Sequence, residues 1–343
     1  MRPPGVNLLR IGGLSLLWRP RALVVGAGLL VLVLGLSIQL LGTGRLALSL
    51  PEIAGALLGD GDTVAARILG RVRLPRVLTA AGVGAALGMA GAVFQSLSRN
   101  PLGSPDVIGF TTGAATGAVV QIVLGSLDPL RTALTAVGSG LAAALAVLLL
   151  ARRGRAAGAG YRLVLVGIGA GAFLGGINTM LLAMGEIDMV TAAQVWLAGS
   201  LAARNWDHVA TVGVGLALFA PVVLGMARDL SMIEMGEDMA RQLGVPVARR
   251  RAVLVLAAVG LSSIGTAATG PIAFVALAAP QLARWMTRSP DVPLLSAALT
   301  GAALLMGADL LSQSAPLGAV LPVGLTTGFI GGLYLLAVMM RKG

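Results

Sequence analysis

A chain of 343 residues that is 57% hydrophobic and only 11% charged has too little polar surface to cover a water-soluble core, so its composition points to a bilayer. The absence of Cys excludes disulfides, thiolate metal sites and a cysteine nucleophile, and a lone His208 leaves almost nothing for imidazole chemistry, which argues against an enzyme. A net charge of +11 could suit nucleic acid, but aromatic residues make up 3% of the chain and the basic residues sit between apolar stretches rather than along one polar face.

Uncharged stretches run through 22–44, 77–98, 107–127, 132–151, 163–185 and 209–227, each near the length a helix needs to cross about 30 Å of hydrocarbon. The first follows Arg10, Arg19 and Arg21, but its core is too long for a signal peptide and no small-residue cleavage site follows, so it reads as a span. Stretch 252–283 is too long for one crossing and contains Pro271 and Pro280, which predicts a helix, a break and a second helix. The tail 292–340 carries one charge, Asp309, and divides near Ser312–Pro322 into two more, giving ten crossings. Met189–Ala203 is shorter and reads as a half-helix or an interfacial piece.

Ten crossings from a cytoplasmic N-terminus place 18 of the 25 basic residues inside: Arg2, Arg10, Arg19, Arg21, Arg99, Arg152, Arg153, Arg155, Arg162, Arg228, Arg241, Arg249, Arg250, Arg251, Arg284, Arg288, Arg341 and Lys342. The other seven, Arg45, Arg67, Arg71, Arg73, Arg76, Arg131 and Arg204, lie outside, five of them in the one loop 45–76. Eight or nine crossings would put Arg249–Arg251 or Arg341-Lys342 on the wrong face. The expectation is one all-α transmembrane domain over 1–343, with both termini cytoplasmic. Glycines at helical spacing, Gly109, Gly113, Gly117 and Gly167, Gly171, Gly175, favour close helix packing over a substrate-lining role. Spans two and seven run oppositely, so a repeat relating spans two to five with seven to ten would be inverted.

Between spans six and seven, Met235, Met239 and Leu243 recur every four residues while Glu237, Asp238, Arg241 and Gln242 face elsewhere. This predicts a short amphipathic helix within about 232–246, with acids early, Arg241 late and a stop at Gly244 and Pro246. It is too short to cross a membrane. Interfacial helices favour Lys and Arg over such an acidic set, so a groove on a cytoplasmic partner is favoured over lipid headgroups.

Arg73-Leu-Pro-Arg76, Gly82 through Gln95, Asn100-Pro-Leu-Gly-Ser-Pro-Asp-Val-Ile-Gly109, Trp196-Leu-Ala-Gly-Ser200, Gly270 through Pro280, Gly301 through Asp309 and Leu321-Pro-Val-Gly324 occur in this order along nearly the whole chain. In them the sequence resembles the FecCD family of ABC importer permeases, which import iron siderophores, haem and vitamin B12. Asn100 through Phe110 and Ile330-Gly-Gly-Leu-Tyr334 resemble the siderophore permeases that form half of a heterodimer. The chain departs from many relatives at Gln281, Val320 and Gly331-Gly332-Leu333.

The resemblance implies a ten-helix permease of the bacterial inner membrane for ferric siderophore, with haem or vitamin B12 as alternative cargo. It implies a second permease chain, a paralogue rather than an identical copy, a substrate-binding protein outside and two ABC ATPase subunits that bind ATP and Mg, with no cofactor on this chain itself. No phosphate-binding loop is present, since the only lysine is Lys342. By the same resemblance Arg73 and Arg76 dock the binding protein, and Glu234, Met235, Gly236, Glu237, Asp238, Met239, Ala240, Arg241, Gln242, Leu243, Gly244 and Val245 seat on the ATPase. Asn178, Trp196 and Gly199 fall near the translocation path. The competing readings are an ion-coupled secondary transporter, for which Asp309 is a single acid with no evident partner, and an intramembrane enzyme, which lacks paired catalytic groups.

Overall fold

The computed structural model describes residues 7–11, 14–44, 46–58, 63–125, 128–152, 159–314 and 321–340. The chain ends, with Arg2, Arg341 and Lys342, and also Arg45, Arg153 and Arg155, lie outside these residues. An antiparallel hairpin opens the chain, β1 (Asn7–Ile11) against β2 (Leu14–Trp18), with Asn7 opposite Trp18 and Ile11 opposite Leu14. A Gly12-Gly13 pair separates the two runs in the sequence, a hairpin signal that hydropathy does not register.

The membrane body is all helical. α1 (Pro20–Gly42) is followed by α2 (Leu50–Leu58) and α3 (Val64–Ile68), then a π-helical turn over Leu69–Arg73 that runs directly into α4 (Leu74–Ser98). Then come α5 (Phe110–Leu124), α6 (Pro129–Arg152), α7 (Ala159–Met184), α8 (Ile187–Leu197) and α9 (Trp206–Gly225). The chain continues through α10 (Ala227–Met235), α11 (Glu237–Gln242), α12 (Val247–Thr269), α13 (Val275–Thr287), α14 (Leu294–Gln313) and α15 (Val323–Met340).

All ten predicted spans are helices. Seven of the described helices are long and apolar enough to cross a membrane by length and composition, while α5, α8 and Val323–Tyr334 of α15 are shorter apolar stretches. The expected break in 252–283 falls at Gly270–Phe274, and Pro280 lies inside α13.

Two boundaries differ from expectation. The arginine-rich stretch before span two is not a loop: Val64–Ser98 is one helical run of 35 residues, about 50 Å at 1.5 Å per residue, and so longer than the hydrocarbon is thick. Thr63 caps its start by accepting from the Ala66 amide, local chemistry outside the reach of a hydropathy window. Span three begins only at Phe110. Before it the Asn100 side chain accepts from the Leu102 amide, and Gln281 of α13 donates to the Pro101 carbonyl at 2.7 Å, so 100–109 is a fixed turn.

α4 and α12 are buried over most of their length, apart from the arginines of their first turns. α4 meets α14 where Gly84 and Gly301 face each other: a Cβ on either would overlap the other's carbonyl. The glycines singled out on α5 and α7 also pack, with Gly109 against Gly167 and Gly171, and Gly117 against Ser139, whereas Gly175 faces open space. α1, α7, α9 and α15 leave large apolar side chains uncovered, among them Val31, Phe173, Leu218 and Phe329. A water-soluble chain would not present such faces; lipid or a neighbouring subunit covers them.

Candidate functional site

Two ends of the bundle carry most of the ion pairs. At the end assigned to the cytoplasm, the expected single amphipathic helix is divided. Gly236, at φ +142°, ends α10 and starts α11, an angle that β-carbon sterics make costly for other residues. The acids at its two sides point inward. Glu234 accepts from Ser96 of α4 at 2.9 Å and pairs with Arg284 of α13 at 2.7 Å, while Glu237 pairs with Arg251 of α12 at 2.6 Å and with Arg241 at 2.8 Å. Arg250 holds Asp229 of α10 at 2.8 Å. Leu230, Ile233, Ala240 and Val245 are buried beneath.

The segment is therefore clamped to three helices of the body, and what it presents outward is Met235, Met239 and Leu243, at 69%, 52% and 57% exposure. Asp238, Arg241, Gln242 and Gly244 lie beside them, exposed. Of the twelve residues expected to seat on a partner, Glu234, Glu237, Ala240 and Val245 instead hold the segment in place. An apolar patch on a rigid platform can carry a displacement into the bundle, because its base cannot shift without moving α4, α12 and α13.

At the opposite end, Arg73 and Arg76 do not project as docking arginines. Arg73 is 8% exposed and donates to the carbonyls of Leu41 and Leu46, fastening the end of α1 to the π-helical turn. Arg76 makes a two-pronged pair with Asp309 of α14, Nη2 to Oδ1 at 2.6 Å and Nε to Oδ2 at 3.0 Å, and Gln313 adds a third bond at 3.0 Å. The apparently unpartnered acid of the sequence thus has its partner 233 residues away. The exposed arginines of this run are Arg67 and Arg71, which make no ion pair among the described residues. Trp206 at the start of α9 steadies the turn between them by donating to the Gly70 carbonyl at 2.9 Å.

Three of the quoted motifs meet in one backbone junction. Gly199, at φ +69°, follows α8; its carbonyl accepts from the Gly324 amide at 3.1 Å, and Ser200 donates to the Thr269 carbonyl at 2.7 Å. A Cβ on Gly199 would overlap the Pro271 carbonyl, and one on Gly270 the Trp196 carbonyl. Trp196 and Gly199 thus belong to a packing junction that joins the starts of α13 and α15 to α8. Asn178 lies on α7, buried, with its Oδ1 lacking a hydrogen-bond partner. Among the described residues no group of His, Cys, Asp and Glu could hold a metal ion.

The model of the FecCD transport family matches residues 29–341. The chain is 40% identical over 302 residues to the ferric enterobactin transport system permease protein FepG of Escherichia coli, covering 88% of this chain and 91% of that protein. It is 34% identical over 340 residues to the achromobactin transport system permease protein CbrC of Dickeya dadantii, covering 98% and 93%. A solved structure described as an inward-facing conformation of a metal-chelate type ABC transporter superposes with a TM-score of 0.83 at 27% identity, over 93% of this chain and 99% of that one.

Proposed function

The chain belongs to the FecCD transport family, and from that premise we propose that it is the membrane-spanning permease subunit of a binding-protein-dependent ABC importer for ferric siderophores in the bacterial inner membrane. The observation that carries the reading is the coupling platform: Met235, Met239 and Leu243 stand exposed on a segment that ion pairs from α12 and α13 hold against the body. ATP, with Mg, is hydrolysed on partner ATPase subunits seated on that patch, and the chain itself holds no cofactor. A second permease chain, a paralogue, covers the uncovered apolar faces of α7 and α15, and the siderophore passes between the two, with Asn178 beside the path. The relatives are named for transport of ferric enterobactin and of achromobactin, which supports a ferric chelate as the cargo class.

Outside, a substrate-binding protein docks on the exposed Arg67 and Arg71 rather than on Arg73 and Arg76, whose guanidinium groups are engaged within the chain. Ion coupling needs a carboxylate free to exchange its charge, and Asp309 is fully buried against Arg76. Its engagement by Arg76 favours the importer over a secondary transporter.

Leu243→Asp tests the proposal. The site lies on the exposed patch, so the permease should fold and insert normally, while a charge buried at the subunit contact detaches or uncouples the ATPase. The measurement is ATPase copurification together with ATP-driven ferric-siderophore uptake into proteoliposomes. Wild-type values for both would return the patch to a lipid-facing role.

A further inference from the structure

A groove of about 440 Å³ runs between α1 and α13 at the same end of the bundle as the coupling segment. Its walls are apolar, with Val25, Leu29 and Leu32 from α1 and Trp285 from α13, and its end carries Arg21 and Arg288. Arg21 donates from Nε to the Met286 carbonyl at 2.8 Å, and among the described residues its terminal nitrogens have no partner and Arg288 makes no ion pair. The neighbouring acids are already neutralised, Asp291 by Arg19 at 3.1 Å and Glu234 by Arg284 at 2.7 Å. Arg288 also closes α13 at φ +47°, a conformation that glycine adopts without strain, so the position keeps a guanidinium where the backbone alone would favour none. Gly28 sits in the α1 wall with nothing within 4 Å of where its Cβ would be, which holds the groove open.

An apolar trough ending in two unneutralised guanidinium groups, with an exposed tryptophan beside them, matches an amphiphile bearing an anionic head at the cytoplasmic membrane surface. We propose that the groove binds one anionic phospholipid of the cytoplasmic leaflet, its phosphate between Arg21 and Arg288 and one acyl chain along Val25, Leu29 and Leu32. The charge complement selects lipid over an apolar protein surface, which would leave both arginines without counter-charge as it dried them.

Trp285 is 73% exposed and reports on the site. The full chain is reconstituted in nanodiscs of phosphatidylcholine containing a low mole fraction of lipid with brominated acyl chains, either phosphatidylglycerol or phosphatidylcholine. Trp285 quenching is taken as the difference from Trp285→Phe. Brominated phosphatidylglycerol should quench more than the zwitterionic lipid at equal mole fraction. Each arginine should supply about a fivefold preference, so the double change Arg21→Gln with Arg288→Gln lowers the preference about 25-fold, abolishing it. Gly28→Leu, which adds volume only to open space, should reduce quenching by both lipids while both arginines remain. Equal quenching by the two lipids in the unaltered chain would overturn the site, as would its absence with both, which would mean that protein covers the groove. Unchanged phosphatidylglycerol quenching in Gly28→Leu would overturn the placement of the acyl chain.

Discussion

Replacing Asp309 by Leu should be far more damaging than replacing it and Arg76 together. The carboxylate is fully buried and the guanidinium side chain is 19% exposed, joined by bonds of 2.6 and 3.0 Å. Removing the acid alone leaves a cation in a low-dielectric interior, which costs about 3–5 kcal/mol for a fully buried partner. The residual exposure of Arg76 places the expectation near the lower figure, about 3 kcal/mol. Replacing both, Arg76→Met with Asp309→Leu, removes the desolvated pair as a unit and should cost about 1 kcal/mol or less, so the double-mutant cycle should return a coupling of about 2 kcal/mol or more. For chains of 150–250 residues 1 kcal/mol corresponds to about 2–4 °C in Tm. The single variant should therefore melt about 6–12 °C lower in detergent, and the double variant within about 4 °C of wild type. Equal melting temperatures for the single and double variants would refute the reasoning, since the partner left behind would then carry no penalty.

Three other outcomes are expected. Gly199→Ala combines a positive φ with overlap of the Pro271 carbonyl, so it should lower Tm by more than the roughly 1 kcal/mol of strain alone, and a melt of the purified chain checks this. Charge reversal of Arg67 and Arg71 together should weaken capture of a loaded substrate-binding protein in a salt-dependent manner; each exposed pair contributes about 0–1 kcal/mol, so either change alone should be nearly silent in a binding titration. The third concerns Asp106, whose Oδ2 is enclosed without a partner. Burial pushes its carboxyl up to about 6 from an ordinary 3.8, against a smaller opposite pull from the Thr111 hydroxyl, which donates at 2.5 Å. The folded chain then holds a proton that the unfolded chain has released, so this contribution to stability is complete below about pH 4 and is lost as pH rises toward 6. Melting temperatures measured across that window should fall in the wild type and lose that component in Asp106→Asn.

Hydropathy and charge made the ten helices legible because a bilayer leaves backbone polar groups no alternative to internal pairing. Periodicity likewise placed Met235, Met239 and Leu243 on the surface of the coupling segment, but it could not show that Gly236 divides the helix. A four-residue spacing survives a one-residue break, and only the backbone angle reveals it. The roles of Arg73 and Arg76 were illegible for a different reason. Counting charges by side assigns a residue to an aqueous face, and the π-helical turn carries both arginines back into the bundle, toward carbonyls of α1 and an acid of α14. The signal available was Asp309 itself: a charge within an apolar stretch calls for a counter-charge at the same depth, and Arg76 sits against the outer edge of the uncharged run 77–98.

The Arg76–Asp309 pair also imposes an order on biogenesis. A chain emerging from the ribosome delivers α4 to the membrane long before α14 is made, so for most of synthesis Arg76 sits near the membrane surface with no acid to meet it. Until α14 arrives Arg76 lacks the carboxylate that meets it in the finished bundle, and burying its charge there carries an uncompensated desolvation cost. Arrival of α14 both neutralises the arginine and presents Gly301 to Gly84, so the charge lock and a close backbone contact between α4 and α14 form together. A product truncated before residue 309 retains a cation with no acid to meet it.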